Sequence, residues 1–175
     1  MNFSCGDHVM YANYGVCEIV AIEQRPDFQD PSKTLSYYSL APLNERLGKV
    51  LLPESRLDAL RPTISKQEAL DLIDNVEVIS IDAFTDKSHK AIEDHFRALL
   101  RSNNIEDIIC VVKSMHSRIM EQTECGKHPS TSYLRLEKEA RKRFHSELAY
   151  ALAIEEDDVE DFIKSRIELS IDQQD

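Results

Sequence analysis

Apolar and polar positions alternate along the chain as far as Pro62 and then switch to helical spacing. Gly6-Asp7 makes a turn, Val9 and Tyr11 mark a short strand after it, and Gly15 breaks that strand. Val16-Cys17-Glu18-Ile19-Val20-Ala21-Ile22-Glu23 is rich in β-branched residues and bounded by Gly15 and Arg25-Pro26, which predicts a second strand. Residues 27–33 follow Pro26 and contain Pro31 among polar residues, so they form an exposed loop. Leu35 to Leu40 is a third strand, Asn44 to Gly48 a turn, and Lys49 to Leu52 a fourth strand ended by Pro53. Four or five short strands joined by tight turns predict a small, strongly bent barrel.

Arg61-Pro62 marks a boundary. Ser65-Lys66-Gln67-Glu68 has the form of a capping box, in which each side chain satisfies an orphan amide of the first helical turn. Ala69, Leu72 and Ile73 continue that helix. A second, over residues 88–102, carries Ile92, Phe96, Leu99 and Leu100 as one apolar stripe. Ser102-Asn103-Asn104 stops it and caps a third, where Glu106 and Asp107 complement the helix dipole and Ile105, Ile108, Ile109, Val112 and Ile119 form the buried face. Gly126 and Pro129 break the chain again. A long helix over residues 131–153 buries Leu136, Ala140, Phe144, Leu148 and Leu152. The acidic run Glu155 to Asp158 opens a last helix through Val159, Phe162, Ile163 and Ile167, and residues 171–175 fray. The pattern predicts an α+β protein with a β-domain at 1–62 and an all-helical domain at 63–175.

Charge changes the functional picture. The net charge of −11 argues against a protein held to nucleic acid by bulk attraction. The distribution is uneven: residues 113–145 hold eight lysines and arginines against four glutamates, and residues 155–175 hold nine acidic residues against two basic ones. The four cysteines (Cys5, Cys17, Cys110, Cys125) are scattered without a close pair, and the histidines lack ligand spacing, so neither a metal site nor a cofactor is expected. A thiol- or metal-based sensor built on those cysteines is a remote alternative. No phosphate-cradling glycine loop and no nucleophile–histidine grouping is present, so the reading is not an enzyme and has no small-molecule substrate. No apolar run approaches the roughly 20 residues that span a bilayer, and the N-terminus lacks a signal-peptide pattern, so no membrane partner and a cytoplasmic location are expected.

Binding surfaces remain. Exposed strand edges offer backbone groups to another protein. Arg25, placed in the turn after the second strand, and Lys49, on the last strand, add charge there, although each also reads as an ordinary solvated residue. Arg135, Lys138 and Lys142 fall on one side of the long helix with Arg141 nearby. That stripe either tracks phosphates or, interleaved with Glu137 and Glu139, is a solvated mixed-charge face.

Phe3-x-x-Gly6-Asp7-x-Val9-x-Tyr11-x-x-x-Gly15-Val16, the Tyr37-Tyr38 strand and Val50-Leu51-Leu52-Pro53 resemble the N-terminal domain of CarD/CdnL-type bacterial transcription regulators. That domain is shared with the transcription-repair coupling factor. Arg61-Pro62, Val111-Val112-Lys113, Ala140-Arg141 and Glu147-Leu148-Ala149 resemble the family's helical domain, so the likeness covers about residues 2 to 153. The resemblance implies a Tudor-like barrel docking on the RNA polymerase β subunit, and a helical domain set against promoter DNA, together influencing open-complex stability. Arg25 matches a basic position of the polymerase-contacting surface, and Arg135 and Arg141 match basic positions of the helical domain.

Two departures follow. Family members usually carry a tryptophan wedge near the start of the second helix of the helical domain, where His89 or Ser88 stands here; this chain has no tryptophan. The basic residue common two positions before the strand-ending proline is Leu51. The expectation is a polymerase-binding regulator using Arg25, Lys49 and Leu51, with DNA contact reduced to non-specific phosphate contacts by His89, Lys90, Arg135, Lys138, Arg141 and Lys142. The alternative is a protein–protein adaptor whose acidic helical domain never touches DNA.

Overall fold

The computed structural model describes residues 3–12, 14–27, 30, 32–44 and 48–172, without the side chains of 169–172. The chain divides into two compact units, residues 1–63 and 64–175. The first holds β1 (His8–Tyr11), β2 (Gly15–Pro26), β3 (Thr34–Pro42), β4 (Val50–Pro53) and β5 (Leu60–Pro62) in one antiparallel sheet of order β4-β3-β2-β1-β5. The sheet is open where a barrel is expected from sequence. β4 and β5 are its two edges, and a 3-10 turn, Glu54–Ala59, connects them and packs on β3, β4 and β5. Arg61-Pro62, next to the division between the two units, lies in the edge strand β5, which sequence does not show because three residues are too few for alternation.

Val9, Cys17, Ile19, Tyr38, Leu40, Leu52 and Leu60 fill the core of this unit. Gly15 opens β2 at φ 72°, a backbone conformation that side chains with a Cβ resist. β2 then carries a bulge: Ile19 pairs with Leu40, Ala21 pairs with Ser39, and Val20 is the extra residue. The bulge reverses the strand's parity, because one inserted residue moves every later side chain to the other face. Of the expected 27–33 loop and 44–48 turn, residues 28, 29, 31 and 45–47 lie outside the described residues.

The second unit contains α1 (Lys66–Asp74), α2 (His89–Ser102), α3 (Ile105–Glu124), α4 (Thr131–Leu152) and α5 (Val159–Asp172). The capping box forms as predicted: Glu68 donates its amide to Ser65 Oγ, and Ser65 donates its amide to Glu68 Oε2. Asn103, left-handed at φ 56°, ends α2, and Asn104 caps α3 by accepting from the Glu106 amide. The expected α4 face is buried, with Leu136, Ala140 and Leu148 at 0% exposure; each buried leucine stabilises by about 1.5–3 kcal/mol. α3 and α4 pack most extensively, with α2 against both and α1 against α4 and α5. The acidic run leads directly into α5, but as a 3-10 turn rather than as the helix's own first turn. Glu156–Asp158 form that turn, and α5 starts at buried Val159. α5 runs to Asp172, and residues 173–175 of the stretch expected to fray lie outside the described residues. Among the described residues no helix is long and apolar enough to cross a membrane.

Residues 75–88, between α1 and α2, have no regular structure yet are pinned from α3. Lys113 Nζ donates to the carbonyls of Val76, Glu77 and Ile79, Ser114 Oγ accepts from the Asp82 amide, and Arg118 donates to the carbonyl of Phe84.

Candidate protein and nucleic-acid interfaces

Arg25 lies on β2 rather than in the turn after it, paired in register with Leu35. The bulge decides which way it faces. Cys17 and Ile19 sit on the core face, and an unbroken strand would put residue 25 there too. After Val20 the odd-numbered residues leave the core, and Arg25 emerges 46% exposed. Cross-strand partners share a face, so Arg25, Leu35, Glu23, Tyr37, Ser39 and Leu51 lie on one side of the sheet. Leu51 is half-buried and pairs with Ser39, about 13 Å along β3 from Leu35. Lys49 is exposed and immediately precedes β4, which is the edge of the sheet but not the last strand.

Arg25 is held in place. Its Nε and Nη2 donate to Glu23 Oε2 at 2.9 and 2.5 Å, and Glu23 stands two residues back on the same face. Both side chains are nearly half exposed, so the pair contributes at most about 1 kcal/mol and can exchange for an incoming carboxylate. β3 pairs with one side of β4, and the other side has no strand partner among the described residues, so its backbone donors and acceptors can take an added strand. Val20 and Ile22 add exposed apolar surface at and just after the bulge.

The helical unit consumes most of the charge that sequence assigns to phosphate contact. Of the eight basic residues in 113–145, Lys113, Arg118 and Arg143 donate to backbone carbonyls inside the unit. Arg135 pairs with Glu93 across to α2, and Arg141 pairs with Glu137 one turn back and with Glu160 at 3.8 Å. Lys127, Lys138 and Lys142 are the three whose side chains make neither an ion pair nor a hydrogen bond among the described residues. Lys138 and Lys142 lie one turn apart on α4 and are exposed, so the expected stripe survives as two lysines beside a neutralised Arg135. Lys90 is 83% exposed but pairs with Asp94 at 3.1 Å. His89 does not join the stripe. It lines a cavity of roughly 470 Å³ with Asp86, Arg118, Glu121, Cys125 and Tyr133.

Glu93 is the residue that sequence reading misses. It accepts from Arg97 and from Ser132 Oγ, and these bonds, with the charges of Arg135 and Arg97, outweigh burial and hold its carboxyl at about 2. The spacing Glu93-x-x-x-Arg97 signals one of these contacts; the two reaching α4 are tertiary. The cysteines do not converge: burial pushes the Cys17 thiol up to about 11, Cys5 and Cys125 are exposed, and Cys110 is half-buried. Among the described residues no three side chains of metal-ligating type come together.

Comparison with known proteins bears on the first unit. Residues 3–64 match the family described as the CarD-like/TRCF RID domain. No curated protein matches the chain.

Proposed function

We propose that this chain, whose residues 3–64 are a CarD-like/TRCF RID domain, is an RNA-polymerase-binding transcription regulator that docks on the β subunit and modulates promoter opening with little contribution from DNA contact. The domain match supports RNA polymerase as the partner. The observation that carries the docking site is the parity change at Val20, which presents Arg25 on the same face as Leu51 beside the β4 edge. Main-chain pairing along β4 supplies affinity, and Arg25 supplies a charge-assisted contact and register. The docked first unit then holds the helical unit near promoter DNA at high effective concentration, where two free lysines suffice for weak phosphate contact. The role is that of an interaction protein, without catalysis.

Capture of host RNA polymerase, and of its isolated β-subunit lobe, by the full chain tests this. Arg25→Glu is expected to abolish capture while melting like the parent. Undiminished capture by that folded variant moves the site away from Arg25, and failure of the parent to capture either species removes the polymerase reading.

A second reading rests on the helical unit. Residues 63–175 carry 15 basic and 24 acidic residues, a net −9, and most of the basic residues of 113–145 are already committed internally. An adaptor that bridges the polymerase to another protein fits that surface without any DNA contact.

A further inference from the structure

α1, residues 78–80 and the start of α3 enclose an open groove of roughly 730 Å³. Leu72, Ile79 and Ile105 line it half-buried, and Val78, which also lines it, is 78% exposed. Its wall is fixed, because Lys113 holds the carbonyls of Val76, Glu77 and Ile79 at 2.5–3.2 Å. Four carboxylates line the same groove, Glu68, Asp71, Glu106 and Asp107, and no lysine or arginine does.

Those carboxylates differ from others in the unit. Glu93, Glu137, Glu139 and Asp74 each hold an arginine. In the groove, Glu68 accepts from the Ser65 amide, Asp71 from Gln67 Nε2 and Asp107 from Ser102 Oγ, all neutral donors. The side chain of Glu106 has no partner among the described residues. Glu68 closes the capping box, and Glu106 and Asp107 complement the α3 dipole. Neither account extends to Asp71 or to the exposed Val78.

We propose that this groove docks a cationic amphipathic segment of a partner protein, with its apolar side chains on Leu72, Val78, Ile79 and Ile105 and its lysine or arginine side chains on Asp71 and Glu106. Charge selects the occupant. A phosphate backbone or an acidic segment meets four carboxylates of its own sign. An uncharged apolar segment would desolvate those carboxylates without replacing the lost water. A cationic one covers the apolar floor and supplies Glu106 with a counter-charge, and it adds a direct one to Asp71, which otherwise feels only the Arg166 charge held by Asp74. The groove belongs to residues 64–110 and the polymerase-docking face to residues 3–64, so either assignment can fail without the other.

The test titrates the full chain with a short helical leucine–lysine peptide, and with versions in which glutamate replaces lysine or serine replaces leucine, followed by amide chemical shifts. The leucine–lysine peptide is expected to shift the amides around Leu72, Val78 and Ile105, and the two altered peptides are not. Asp71→Lys with Glu106→Lys is expected to weaken binding at least about tenfold, and Val78→Ser severalfold, while Glu156→Lys with Asp157→Lys, at the acidic turn before α5, changes it less than about twofold. Unshifted melting curves certify each variant. Equal weakening by the two lysine pairs, shifts centred elsewhere, binding of the serine–lysine peptide at parental strength, or no binding by the leucine–lysine peptide overturns the proposal.

Discussion

Arg143 Nη1 lies 2.9 Å from the carbonyl oxygen of Leu100, so one guanidinium on α4 closes the last turn of α2. Its Nη2 pairs with Glu139 at 2.5 Å, one turn back on its own helix. Burial lowers the Arg143 pKa from its usual value, and the Glu139 charge partly offsets this. Arg143→Met leaves a helix carbonyl and a carboxylate without their donor, and is expected to cost about 2–4 kcal/mol. Arg135→Met breaks an exposed pair on the same helix and should cost under about 1 kcal/mol. Urea midpoints at unchanged slope check both, and equal losses would deny Arg143 this role.

Glu93 predicts an acid limb. Its carboxyl is held at about 2 in the folded protein against 4.5 ordinarily, by bonds from Arg97 and Ser132 acting against burial. As pH falls, the unfolded chain takes up this proton first. The stabilisation is therefore complete above about 4.5 and lost progressively toward about 2. Glu93→Gln should be less stable than the parent at neutral pH and should flatten the decline across that window. Urea midpoints over a pH series measure it, and a parallel decline in both proteins refutes it.

The helices were legible because their signals are local. Ser65 and Glu68 announce α1, Asn103 and Asn104 separate α2 from α3, and the period of Leu136, Ala140, Phe144 and Leu148 survives unchanged in α4. The sheet was legible in its strands but not in its register. Val20 and Ala21 are both small and apolar, so the sequence carries no sign that one of them is extra, and the face of Arg25 depends on that residue. The basic stripe misled for a related reason. Composition counts Lys113, Arg118 and Arg143 as surface charge, whereas each reaches a backbone carbonyl that only the tertiary fold brings near.

His145 predicts a second pH dependence nearer neutrality. Burial, and then the Arg141 charge, lower its pKa from 6.5, against the opposing charges of Glu160 and Glu137. The folded state thus prefers the neutral ring, and the unfolded chain is the first to bind the proton as pH falls. Stability should drop as pH passes downward through about 6.5, down to the lowered folded value. His145→Gln should lessen that drop, read as the difference between urea midpoints on either side of it. A difference as large as the parent's would place the dependence on another group.

Salt dependence separates regulator from adaptor. Each phosphate contact made by a free cation releases counterions and adds about 1 to the slope of log affinity against log salt. Lys138 and Lys142 are exposed and unpaired among the described residues, whereas Arg135 and Arg141 already hold Glu93 and Glu137. On a polymerase–promoter complex, Lys138→Ala and Lys142→Ala should each reduce the slope by about 1, and Arg135→Ala and Arg141→Ala by clearly less. Arginine variants that reduce it as much would mean that both ion pairs open on DNA. A slope indifferent to all four, with polymerase binding intact, would leave the helical unit free of DNA and make the adaptor reading the better one.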